Sequence, residues 1–225
     1  MSTTNTEVRR SVSFCNLEEA DSQETNLRDG AAVGDVSWKN KEGVVRLAFQ
    51  NVQGFGFDKR ARKFKSIYQF IKKYSVDMIG MAEANTFWPK VKMTSRLYER
   101  TKEWFEARYL KVGYNSNDTD PPRSQPGGVA TMTIDKLSYK VAASGEDPKN
   151  LGRWTWIRLQ GKNNRHLRVA TLYRPCVPPS GTNKVQGSHT VHSQHIREFA
   201  REGDIRQPRQ AFMEDLHDDV IAWKN

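Results

Sequence analysis

Cysteine is scarce in this chain of 225 residues, and long apolar runs are missing. The only cysteines are Cys15 and Cys176. The first lies in a tail too polar to fold, so a structural disulfide is not expected. A reducing, intracellular setting, the nucleus included, is the expectation. No apolar stretch approaches the ~20 residues that a membrane-spanning helix needs. The N-terminus lacks the apolar core of a secretory signal. No membrane partner is expected from these features.

Negative charge is also in short supply: 26 Asp and Glu face 36 Lys and Arg, a formal net charge of +10. The imbalance is uneven. Residues 1–40 hold four basic residues (Arg9, Arg10, Arg28, Lys39) against seven acidic ones, a net of −3, so the remainder carries +13. Residues 1–42 are rich in Ser, Thr, Asn and acids without periodicity, which reads as a disordered leader. Residues 43–225 read as one basic domain. Such a domain suits a polyanionic partner, nucleic acid being the commonest and DNA the expected form. The plain alternative is a surface solvated by Lys and Arg.

Within the domain two apolar runs stand out, LAFQNVQGFG reaching Asn51 and VDMIGMAEAN reaching Glu83. Each looks like a strand buried on both faces with one polar residue at its C-terminal end. Between them Phe64, Ile67, Tyr68, Ile71 and Tyr74 recur at helical spacing, with Asp58 as the candidate N-cap. Lysines and arginines fill the other helix faces, and those around Arg60–Lys65 read as solubilising charge. The unit is strand, helix, parallel strand, which brings Asn51 and Glu83 together on one sheet edge. An amide oxygen beside a carboxylate suits magnesium or manganese. A polar residue at a strand end can equally be a turn former.

A less regular helix covers about 94–105, burying Leu97, Tyr98, Trp104 and Phe105. Alternation then gives strands at Tyr109–Tyr114, Gly128–Ile134, Tyr139–Ala143, Trp154–Leu159 and Leu167–Tyr173. Pro175 ends the last of them. Two helices follow, near Ser193–Arg201 and over Pro208–Trp223. The second places Phe212, Leu216, Val220 and Trp223 on one stripe.

Tyr173 closes a strand just before a proline turn, where its hydroxyl can donate to a phosphate oxygen as charge builds there. The alternative is an edge aromatic with its hydroxyl in water. Arg123, Arg153 and Arg174 are the candidate nucleic-acid contacts, Arg174 being suited to meet a phosphate bidentately. The spacing of His189, His192 and His195 drifts around a helix, and the segment reads as a polar loop running into a helix. NDTDPP (Asn117–Pro122) reads as a turn. His217, Asp218 and Asp219 read as a solvated helix face.

Asn51 in an N-x-x-G strand end, Glu83 in D-x-I-x-x-x-E, the Gly127–Gly128 strand start and Tyr173 before proline follow a familiar order. Together they resemble the endonuclease/exonuclease/phosphatase superfamily, in a deoxyribonuclease I-like and retroelement-type flavour. The resemblance covers about residues 44–225. It implies an α/β fold, a four-layer α/β/β/α sandwich, and magnesium- or manganese-dependent phosphodiester hydrolysis. In it Asn51 would orient the nucleophile or phosphate, Glu83 would ligate the metal with Asn51 beside it, and Tyr173 would stabilise the transition state.

The family pattern continues with a D-x-N strand end and a late Asp-His pair, and this sequence stops before them. The expectation is therefore the N-terminal portion of such a domain, very weak or incomplete as an enzyme, whose remainder another segment could supply. Without that remainder the apolar faces of Trp154–Leu159 are expected to be exposed. The alternative is a non-catalytic basic module of the same fold, binding nucleic acid or protein. A phosphatase acting on phosphoinositides or small molecules stays open as a third.

Overall fold

The computed structural model describes residues 44–55, 62–118, 121, 124–176 and 190–223. The expected leader, Asp58 and Arg123 lie outside the described residues. Two sheets stack face to face with helices on both outer sides, the α/β/β/α layering expected.

The first sheet has the order β1-β2-β4-β3. It contains β1 (Leu47–Asn51), β2 (Met78–Ala82), β3 (Arg108–Gly113) and β4 (Val129–Ile134). β1 and β2 pair in parallel, and β4 pairs antiparallel with both β2 and β3. Helix α1 (Arg62–Tyr74) makes the crossover. Its buried Phe64, Ile67 and Ile71 pack on Ile79, Met81, Ala130 and Met132. Each such side chain contributes about 1.5–3 kcal/mol by leaving water. Asp77 ties the starts of the two parallel strands, its carboxylate accepting the Arg46 N–H at 2.7 Å.

β2 is buried on both faces as expected, but β1 is not, because it lies at the edge of the sheet. Leu47 is 47% exposed. The helix expected over 94–105 shrinks to one turn, α2 (Leu97–Arg100). The Thr101 hydroxyl donates to the Leu97 carbonyl at 2.9 Å and ends it, and Tyr98 stays exposed.

The second sheet is antiparallel, β5 (Val141–Glu146), β6 (Trp154–Gln160) and β7 (His166–Leu172). Thr155, Ile157 and Leu159 of β6 face the first sheet. There Ile157 and Leu159 pack with Met78, and Thr155 joins Thr131 and Thr171 in a buried hydroxyl cluster with bonds of 2.7 and 2.6 Å. The sheets approach closely at Gly80, where a Cβ would stand 2.5 Å from the Thr171 hydroxyl.

Trp154 and Trp156 face outward under α4 (Pro208–Ala222), meeting Phe212 and Trp223. The apolar residues of Trp154–Leu159 are therefore covered, contrary to expectation: Trp154 and Ile157 are 0% exposed. The stripe expected on α4 is replaced in part by carboxylates. Asp215 pairs with Arg153, and Asp219 accepts the Trp154 indole N–H at 3.0 Å. Asp219 is thus half-buried rather than solvated, and burial pushes its pKa up. Helix α3 (Val191–Glu202) is capped by Thr190, whose hydroxyl accepts the Ser193 N–H.

Candidate functional site

The parallel pairing sets Asn51 level with Ala82, with Glu83 the next residue. Past the strand ends the backbones stay bonded. Val52 N–H donates to Ala82 O at 2.9 Å, Gly54 N–H to Glu83 O at 2.6 Å and Phe55 N–H to Ala84 O at 3.1 Å. On the opposite side Ala84 and Asn85 N–H donate to Gly128 O and Gly127 O at 3.1 and 2.7 Å. Glu83 is clamped between two chains. That clamp holds it at φ 53°, in the left-handed region that costs a residue with a Cβ about 1–2 kcal/mol. Gln53 and Asn85 share the same region, at φ 46° and 47°. Strain of this kind, gathered at one sheet edge, accompanies functional sites.

Tyr173 arrives from the second sheet. Its N–H donates to Arg153 O at 2.8 Å, one rung beyond β7. Its phenol reaches across the sandwich to the Glu83 carboxylate and the Cys176 thiol. Burial, then the Glu83 carboxylate and the Cys176 thiol, hold the phenol well above its ordinary pKa. Tyr173 therefore remains a proton donor across the whole working range of pH. The structure brings these two sequence candidates together from different sheets.

Asn51 is exposed, and its Oδ1 accepts the Gln53 N–H at 3.0 Å, closing an Asx turn. It sits on the same edge, acting there as a turn former. Arg174 is exposed next to Tyr173, open to an anion.

Arg153 departs from the sequence reading. Its side chain is 0% exposed, and its Nε and Nη2 donate to Asp147 at 2.6 and 2.7 Å while Nη1 donates to Asp215 at 2.8 Å. Burial alone would lower its pKa, but the two carboxylates outweigh it and hold the guanidinium above its ordinary value. A side chain so enclosed joins β6 to α4 and cannot meet a nucleic acid. His195 is buried beside the same pair, and burial, aided by the Arg153 cation, pushes its pKa down to about 4.

Two contributors to the edge were not foreseen. Lys63, grouped by sequence with solubilising charge, directs its Nζ to the carbonyls of Val52 and Gln53 at 2.8 and 2.9 Å. Its place in the first turn of α1, directly after the loop, was the available signal. Asn85 accepts the Gly127 N–H at 2.8 Å through Oδ1, and Gly54 passes so near that a Cβ would stand 3.3 Å from the Asn85 Cβ. Lys63 and Asn85 fix the two loops between which Glu83 is presented.

The donor set fits a hard cation held loosely. Glu83 would supply one carboxylate and Asn51 one amide oxygen, which already accepts the Gln53 N–H. Magnesium bound through one or two carboxylates keeps several waters and leans on substrate phosphate. Among the described residues, no group of three or more His, Cys, Asp or Glu could enclose a metal.

No protein-family model matches the chain, and no curated protein matches it. Among solved structures the chain is similar to an endonuclease/exonuclease/phosphatase family protein from Leptotrichia buccalis C-1013-b, with 14% sequence identity and a TM-score of 0.43. The match covers 70% of this chain and 63% of that one, so this chain spans less than two thirds of that structure's length.

Proposed function

We propose that the edge formed by Asn51, Glu83 and Tyr173 is a phosphodiester-hydrolysing site, magnesium-assisted and acting on nucleic acid. The observation that carries this reading is the Tyr173 phenol brought beside the strained Glu83 from the opposing sheet. Glu83 and Asn51 would hold the metal. Magnesium, when bound, supplies Lewis-acid polarisation of a phosphoryl oxygen. Tyr173, kept protonated by its surroundings, donates a hydrogen bond toward the developing charge on phosphate. Arg174, one residue on and exposed, steers the anionic substrate to the edge. Turnover is expected to be slow. General base catalysis contributes roughly 10²–10⁴-fold, and none of these residues is assigned that role.

A second reading, a basic binding module without catalysis, is favoured by the single carboxylate at the edge. Glu83→Gln separates the two, since it removes the charge and keeps the shape. Incubation of supercoiled DNA with the full chain and magnesium is expected to yield slow nicking that Glu83→Gln abolishes, with DNA affinity nearly unchanged. Equal nicking by both proteins would refute the catalytic reading, and no nicking by the unaltered chain would leave the binding module as the function.

A further inference from the structure

The β6–β7 hairpin carries a second concentration of charge, at the end of the sheet opposite Tyr173. Across Arg158–Arg168 four of eleven residues are Lys or Arg and none is acidic. The strand register sets Arg158 directly opposite Arg168, and Gln160 opposite His166. Since Thr155, Ile157 and Leu159 face the first sheet, alternation turns Trp156, Arg158, His166 and Arg168 outward. Like charges directly opposed across a ladder destabilise the pair unless something anionic offsets them. Among the described residues no hydrogen bond or ion pair to an acid is made by Arg158, Lys162, Arg165 or Arg168.

The cations are also fixed in place. Arg165 N–H donates to Lys162 O at 3.1 Å, and Gly161 N–H to Arg165 O at 2.7 Å. The central Asn163 and Asn164 both adopt φ 55°, as the tight primed turn of a hairpin requires. Lys162 and Arg165 therefore stand at set positions on a short turn. Arg168 is stacked over Trp156 at 4.4 Å and over Trp223 at 5.0 Å from the ring centroids. Desolvation and the Arg158 charge push its pKa down, against the opposing pull of Asp219.

We infer that the outward face of the β6–β7 hairpin is a nucleic-acid docking surface separate from the Asn51–Glu83–Tyr173 edge, taking the phosphate backbone of a duplex through Arg158, Lys162 and Arg165. Charge complementarity selects the occupant: the exposed Lys162 and Arg165 on a set turn, with Arg158 beside them, match consecutive phosphates. The strand length from Arg168 to Tyr173 separates the two surfaces by roughly 17 Å at about 3.3 Å per residue. A duplex gripped here is anchored by a part of the sandwich that takes no part in the proposed chemistry.

The test uses the full chain and a fluorescein-labelled DNA duplex, with affinity read by anisotropy over a salt series. The triple variant Arg158→Gln, Lys162→Gln, Arg165→Gln leaves the stacked Arg168 and the turn asparagines in place. Its affinity is expected to fall about tenfold or more, and the slope of log K against log salt to shrink by about 2.7, at about 0.9 per cation removed. Nicking of supercoiled DNA by Glu83→Gln is scored apart from these affinities, so failure of the catalytic reading would not be confused with failure of this one. Unaltered circular dichroism and thermal melting of the variant confirm that it folds, and where the triple variant melts early, Lys162→Gln alone at the turn is read instead. An unchanged salt slope would overturn the proposal. A loss seen with phosphatidylserine vesicles or polyglutamate but not with the duplex would also overturn it, and would assign the face to a membrane or an acidic protein.

Discussion

Removing the Arg153 guanidinium should damage the fold rather than nucleic-acid binding. Arg153→Met keeps much of the side-chain volume but leaves Asp147 without its cation, while Asp215 keeps only Arg206 at 2.9 Å. The geometry explains why the cost is high. Asp147 is 1% exposed and already accepts the backbone N–H groups of Lys149 and Leu151 at 3.0 and 3.2 Å, so it cannot turn toward water. Breaking a buried pair by deleting one partner costs about 3–5 kcal/mol. Domains are stable by only about 5–15 kcal/mol, so the variant should be marginal. Urea denaturation followed by tryptophan fluorescence reads this directly, because Trp154 stacks on the same guanidinium at 4.4 Å. The expected result is a much lower midpoint with an unchanged salt slope for DNA binding. A loss of less than about 1 kcal/mol, together with a slope reduced by about 0.9, would mean that Arg153 meets phosphate after all.

Two further outcomes follow from the same geometry. His195 is folded with a pKa near 4, below its ordinary value of 6.5, so its neutral form stabilises the fold and the benefit is lost as pH falls from 6.5 toward 4. The loss amounts to about 3 kcal/mol, and denaturation midpoints over that window should fall less steeply in His195→Leu than in the unaltered protein. Lys63→Met should release the Val52 and Gln53 carbonyls at a cost of about 1 kcal/mol in stability. Amide exchange at 52–55 should rise and any magnesium-dependent nicking should weaken, whereas unchanged exchange there would deny Lys63 its positioning role.

Much of the layering was legible because periodicity reports which face of an element is buried. The run Met78–Ala82 and the stripe Phe64–Ile67–Ile71 gave the parallel unit directly, and with it the shared edge of Asn51 and Glu83. Position within a sheet was not legible. β1 is an edge strand, yet LAFQN reads much like a central one, since local alternation does not say which neighbour a strand lacks. The helix over 94–105 failed for a local reason, the Thr101 hydroxyl taking the carbonyl that another turn would have used.

Among the site residues, contacts distant in sequence decided what the sequence could not. Arg153 looked like an open cation because Asp215, 62 residues away, is invisible to any local pattern. Tyr173 could be set near a strand end, but its approach to Glu83 depends on how the two sheets stack. The close approach at Gly80 and the Thr131–Thr155–Thr171 hydroxyl cluster set that stacking. Lys63 was misjudged because a helix face near a loop can be solvent-facing and still reach the loop's carbonyls.

The pairing of Glu83 with Tyr173 as one catalytic unit is most directly tested by a double-mutant cycle on magnesium-dependent cleavage, measured at single turnover with Glu83→Gln, Tyr173→Phe and both together. If the two act as a unit, the double variant should be no slower than Glu83→Gln alone, because the phenol's donation to phosphate counts only where Glu83 holds the metal that places that phosphate. Losses that simply multiply, or a Tyr173→Phe rate equal to that of the unaltered chain, would contradict the account.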